Sequence, residues 1–150
     1  MTIAYIVDEE PFFTEVIVST LRITGFDEVK SFSDASEAYS YISINIDEAS
    51  NALMFIDVAL EPGEDEDRFS GEKTSGFGTT GLVLAKEILS ITNISADKMI
   101  LYSAHFTTEL WNKINDFCAE NGTDSWQKRA DAELEDIIRF AENYLKNGRS

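Results

Sequence analysis

The sequence predicts an α/β fold in which a parallel sheet of five strands is covered by helices on both faces. Two observations carry this. Short apolar runs alternate with segments of helical period along all 150 residues. The runs IAYIVDEEP (3–11), ALMFIDVAL (52–60) and KMILYSAH (98–105) are nearly continuous in apolar residues, as strands buried on both faces are. Each also carries a polar residue at or near its end: Asp8, Glu9 and Glu10 in the first, Asp57 in the second, and Ser103, followed by the small Ala104, in the third. Open α/β sheets place their sites at the carboxyl edge. Carboxylates gathered there repel one another unless a cation joins them. The simplest reason to gather them is to hold a divalent metal beside a carboxylate that reacts.

The elements follow in order. Thr2 to Val7 is the first strand. Pro11 suits the first turn of a helix, and Phe13, Val16, Ile17 and Leu21 recur at helical spacing up to Gly25, which can close it. Glu28 to Phe32 is a short second strand. Asp34 with Glu37 makes a capping box that opens a helix to about Ile46. Ala52 to Val58 is the third strand. A helix resumes near Thr80 with Leu82, Leu84, Ala85, Ile88 and Leu89 as its buried set. Lys98 to Tyr102 is the fourth strand. A helix over Thr108 to Glu120 stops at Gly122, Thr123 to Gln127 is the fifth strand, and the last helix runs from about Ala132 to Lys146. No internal repeat or second domain is visible, so residues 1–150 are expected to form one domain.

Bulk properties narrow the function. A formal net charge of −16 argues against nucleic acid, where Lys and Arg must neutralise phosphates. It argues equally against an anionic membrane surface. One cysteine, Cys118, cannot form an internal disulfide, and no signal peptide or spanning stretch is visible. The expectation is a cytoplasmic protein with Cys118 a small hydrophobe on a helix.

One stretch breaks the rhythm. EPGEDEDRFSGEKTSGFGTTG (61–81) is rich in Gly, Ser, Thr and acid, with almost nothing to bury. The expected state is a solvated, flexible insertion, with a lid or docking loop as the sharper alternative, because it leaves the sheet right after Asp57. Within it, residues 76–81 match G-x-G-x-x-G, but the match does not follow a strand directly, so it is assigned to chance. His105, the only histidine, has no Cys or His partner nearby and reads as a loop residue rather than a zinc ligand. The run Glu64 to Asp67 reads as a solvated charged face. Asp57 does not, because it sits inside a nearly continuous apolar run, where a charge needs a partner or a task.

Taken in order, these residues resemble a response-regulator receiver domain, the phospho-acceptor module of two-component signalling. The resemblance covers essentially the whole chain. It rests on the acidic pair Asp8 and Glu9, on Asp57, on Ser103 followed by the small Ala104, and on Lys128 in GTDSWQKRAD (122–131). It implies a flavodoxin-like (βα)5 doubly wound sheet with a long insertion between strand 3 and helix 3. Asp57 would be the phospho-acceptor, with Lys128 and Ser103 contacting the phosphoryl oxygens. Magnesium would be held by Glu9, Asp57 and the backbone carbonyl of Ala59, with Asp8 in direct or water-mediated support. Implied partners are a histidine kinase or phosphotransfer protein and a downstream protein or effector domain; a homodimer is compatible with such a module. Such a module is expected either to act alone through protein contacts or to be a fragment of a longer regulator.

The sequence departs from the family in three places. Arg129 follows Lys128 where a proline is usual. Ser125, with Trp126 beside it, stands where an aromatic readout residue is usual. The proline after the acceptor is displaced to Pro62. The positions that tune phosphoryl lifetime carry Ala59 and His105. Two rivals follow. One is a pseudo-receiver, an interaction module that is not phosphorylated. The other is a magnesium-dependent phosphohydrolase, disfavoured because Ala59 stands where the general acid is needed. The expectation is no enzyme turnover beyond self-phosphorylation from small donors and autodephosphorylation.

Overall fold

A computed structural model of the chain describes residues 1–74, 78–104, 107–127 and 134–147. Five parallel strands form one sheet in the order β2-β1-β3-β4-β5: β1 (Ile3–Val7), β2 (Glu28–Phe32), β3 (Leu53–Asp57), β4 (Met99–Ser103) and β5 (Asp124–Gln127). The helices are α1 (Pro11–Thr24), α2 (Ala35–Ile44), α3 (Ile46–Ser50), α4 (Thr80–Ile91), α5 (Thr108–Asn121) and α6 (Leu134–Asn147). This is the doubly wound, flavodoxin-like arrangement expected. β1, β3 and β4 are buried at every position, which explains their unbroken apolar runs.

Alternate residues of the central strands feed two cores. Tyr5, Val7, Met54, Ile56 and Leu101 pack with α2, α4 and Ile114 of α5. Ala4, Ile6, Phe55, Ile100 and Tyr102 pack with Phe13 and Ile17 of α1 and Ile137 and Ala141 of α6. The punctuation marks behave as chemistry requires. Asp34 accepts the Glu37 N–H at 2.8 Å, the first half of the capping box. Gly122 takes the left-handed conformation that ends α5, with φ 78°. Cys118 lies half-buried on α5.

Several details differ from expectation. The second helix does not run to Ile46. It ends at Ile44, Asn45 leaves helical geometry, and its side-chain amide donates back to the Tyr41 carbonyl. A separate short helix, α3, then carries Glu48 toward β1 and β2, where it accepts hydrogen bonds from Tyr5, Tyr41 and Lys30. Burial pushes the Glu48 carboxyl up, but these three bonds outweigh it and hold it below its ordinary value. Ser103 closes β4 instead of following it. Of the set expected on α4, Leu84, Ala85 and Ile88 are buried, and Leu82 and Leu89 only partly.

The described part of the insertion packs against the domain. Phe69 is buried and meets Tyr39 edge-on, and Leu60, just before the insertion, is buried as well. The Ala35 N–H donates to the Glu61 carbonyl at 2.9 Å, and the Ser36 N–H to the Pro62 carbonyl at 3.0 Å. The Ser36 hydroxyl donates to Pro62 and accepts from the Asp65 N–H. Arg68 lies 3.9 Å over the Tyr39 ring and pairs with Asp65 and with Glu87 of α4. The insertion thus closes over α2 and α4 by supplying donors and acceptors to the open first turn of α2. Residues 75–77, including Gly76 of the glycine motif, lie outside the described residues.

Candidate functional site

Register assembles the site. β1 and β3 pair with Val7 opposite Ile56, so one further step sets Asp8 beside Asp57. On the other side Asp57 faces Tyr102, and Tyr102 faces Trp126. Asp8, Asp57, Tyr102 and Trp126 therefore form one row across four adjacent strands. Side-chain alternation puts the row on the α1/α6 face, at the carboxyl edge. The row crosses from β1 to β3 where the strand order reverses, the position at which open α/β sheets place their sites.

Both carboxylates are buried and oriented. Asp8 is 4% exposed and Asp57 8%. Asp8 accepts the Glu10 N–H on Oδ1 at 2.9 Å and the Tyr102 hydroxyl on Oδ2 at 2.8 Å. Asp57 accepts the Ala59 N–H on Oδ1 at 3.0 Å. Burial, then the charges of Asp8 and Asp57, push the Tyr102 phenol well above its ordinary value, so it stays a proton donor.

The other expected residues divide. Ser103 is fully buried at the end of β4, Ala104 is exposed just beyond it, and Ser125 is partly buried opposite Leu101. Glu9 is exposed beside Asp8. Lys128, Arg129 and His105 lie outside the described residues. Two site residues were not anticipated. Tyr102 was taken for an ordinary strand residue, although a hydroxyl-bearing ring inside KMILYSAH is a signal of a polar task. Gly81 was taken only as part of a chance motif.

Gly81 fixes the backbone under Asp57. Its N–H donates to the Val58 carbonyl at 2.9 Å, and a Cβ placed on it would stand 2.1 Å from the Asp57 carbonyl oxygen. Only glycine lets the first turn of α4 approach this closely. A groove of about 280 Å³ lined by Ala59, Thr79, Thr107, Leu110 and Lys113 opens beside the loop that follows Asp57.

The donor set suits a hard cation. Among the described residues no group of three or more His, Cys, Asp or Glu side chains could hold a metal. A magnesium ion needs less: one or two carboxylates, with waters and phosphoryl oxygens completing its octahedron. Asp8 and Asp57 supply that number.

A scan against protein-family models and a search of curated proteins return no match. Solved structures do match, over nearly the whole chain. A CheY-like receiver domain protein from Methanospirillum hungatei superposes with a TM-score of 0.64 at 15% identity, covering 99% of this chain and 96% of that one. A two-component response regulator from Clostridium difficile gives 0.67 at 14% identity, covering 100% of both. NtrX from Brucella abortus gives 0.65 at 20% identity, covering 99% of this chain but 28% of that longer one. Many of the similar structures are receiver domains, and the fold of this chain is theirs.

Proposed function

We propose that this chain is a phospho-acceptor receiver that takes a phosphoryl group on Asp57 and switches a protein-interaction face. The observation that carries the reading is the row itself: two buried, oriented carboxylates side by side at the switch point of a receiver fold. In the proposed step an Asp57 carboxylate oxygen attacks the phosphorus of a phosphohistidine on a kinase or phosphotransfer protein. The P–N bond breaks, its electron pair stays on the imidazole nitrogen, and an aspartyl phosphate forms. Asp8, Asp57, Glu9 and the Ala59 carbonyl would hold magnesium, which when bound neutralises charge on the transferring oxygens. Lys128 would pair with Asp57 and then with the phosphoryl group, and Ser103 would donate to a phosphoryl oxygen. The output face would be α5, β5 and α6, read by a downstream protein or effector domain.

The charge of −16 supports a protein partner rather than nucleic acid. Among the described residues no helix is long and apolar enough to cross a membrane. A pseudo-receiver is the second reading. It is favoured by two departures from the family pattern, Arg129 after Lys128 and Ser125 in place of an aromatic.

Intact mass after incubation with magnesium and acetyl phosphate separates the two. Gain of one phosphoryl group by the parent and none by Asp57→Asn supports the receiver. No gain by the parent with acetyl phosphate, together with no magnesium response, moves the assignment to the pseudo-receiver.

A further inference from the structure

We infer that Tyr102 is a positioning residue for the cation, and that Trp126 beside it is a built-in reporter of the site. The inference rests on the receiver reading and concerns the same site. Tyr102 stands next to Asp57 in register, yet its ring reaches across to give its proton to Asp8 Oδ2 at 2.8 Å. With the Glu10 N–H on Oδ1, the Asp8 carboxylate is held at both oxygens, so its plane is fixed before a cation arrives. Partners that hydrogen-bond a metal-binding carboxylate orient it, and removing them typically costs about 10–100-fold in metal affinity.

The ring holding this hydroxyl has little freedom. Tyr102 is fully buried, with its centroid 5.7 Å from both Phe13 and Trp126. Phe13 and Trp126 stack on each other at 5.8 Å. The Trp126 indole N–H donates to Asp136 of α6 at 3.0 Å. The cluster therefore joins the Asp8 carboxylate to α1 through Phe13 and to α6 through Asp136. A change of charge at Asp8 and Asp57 is felt at Tyr102 and, one ring further, by an indole whose emission depends on its surroundings.

The test titrates magnesium into the full chain carrying Trp111→Phe, which leaves Trp126 as the single indole. It is compared with the same chain carrying Tyr102→Phe as well. Emission gives the magnesium midpoint, metal-free thermal melting gives stability, and acetyl phosphate labelling at saturating magnesium gives the limiting rate. The expected result is a midpoint about tenfold higher in Tyr102→Phe, equivalent to about 1.4 kcal/mol. The limiting rate should lie within about twofold of the parent, a split that a general packing defect would not give. Equal midpoints, or a fall in limiting rate with no change in midpoint, would overturn the inference while leaving the receiver reading standing. A parent that shows neither a magnesium response nor labelling would overturn both.

Discussion

Replacing Gly81 by alanine tests whether the start of α4 holds Asp57 in place. The added Cβ would lie 2.1 Å from the Asp57 carbonyl oxygen, 2.6 Å from the Val58 Cα and 2.8 Å from the Asp57 carbonyl carbon. All three are backbone atoms of a buried strand end, so none can swing aside as a side-chain tip could. Ordinary carbon contacts need about 3.5–4.0 Å. The helix must therefore move by more than about 1 Å, which breaks the 2.9 Å bond from the Gly81 N–H to Val58. Overpacking costs about 1–3 kcal/mol. A buried donor left without a partner costs about 1–3 kcal/mol more. Alanine recovers at most about 1 kcal/mol in helix propensity. The net loss is about 1–5 kcal/mol, or about 2–20 °C in melting temperature for a chain of this size. Thermal melting by circular dichroism reads it, with the exposed Lys86→Ala on the same helix expected within about 0.5 kcal/mol of the parent. Labelling of Asp57 should also slow in Gly81→Ala at temperatures where it remains folded. A variant melting within about 2 °C of the parent would refute the claim that this approach is tight.

Phe69→Ala empties a buried site under the insertion and should cost about 3–5 kcal/mol, with proteolytic nicking between residues 61 and 81 as the local readout. If Phe69 were not a packing anchor, neither melting nor nicking would change. Glu48, held below its ordinary value of 4.5, contributes stability that is present above that value and is lost as pH falls through its lower folded value. The melting difference between the parent and Glu48→Gln should therefore be constant above about pH 5 and shrink as the solution is acidified. A difference that grew with acid would reverse the assigned sign.

How much of this was legible in the sequence depends on the distance over which each feature is decided. The buried strands were legible because burial on both faces leaves an unbroken apolar run, and Asp57 stood out because it interrupts one. The capping box at Asp34 and the stop at Gly122 were legible because their chemistry lies within a turn. The docked insertion was not. Phe69 is the one large apolar residue in its described part, and it packs against Tyr39, thirty positions away. The break after Ile44 was hidden for a similar reason. Beyond the break, α3 places Glu48 beside Tyr5 and Lys30, long-range contacts that local propensity does not encode.

The site shows the same division. Composition identified its acids, but register identified its neighbours. A one-residue slip between β3 and β4 would turn Tyr102 to the α2/α4 face and remove it from Asp8 altogether. The buried runs on β3 and β4 resist such a slip only weakly by hydrophobic pattern, because both of their faces are apolar. Polar contacts that exist in one register alone add to its specification. The Tyr102–Asp8 bond is one, and the close seat of Gly81 on Asp57 and Val58 is another. The carboxylates that would meet the cation are thus fixed by the same contacts that select the register. Stability of the sheet edge and competence of the site should therefore fall together in variants of Gly81 and separate in variants of Tyr102, whose ring can be kept while its proton is removed.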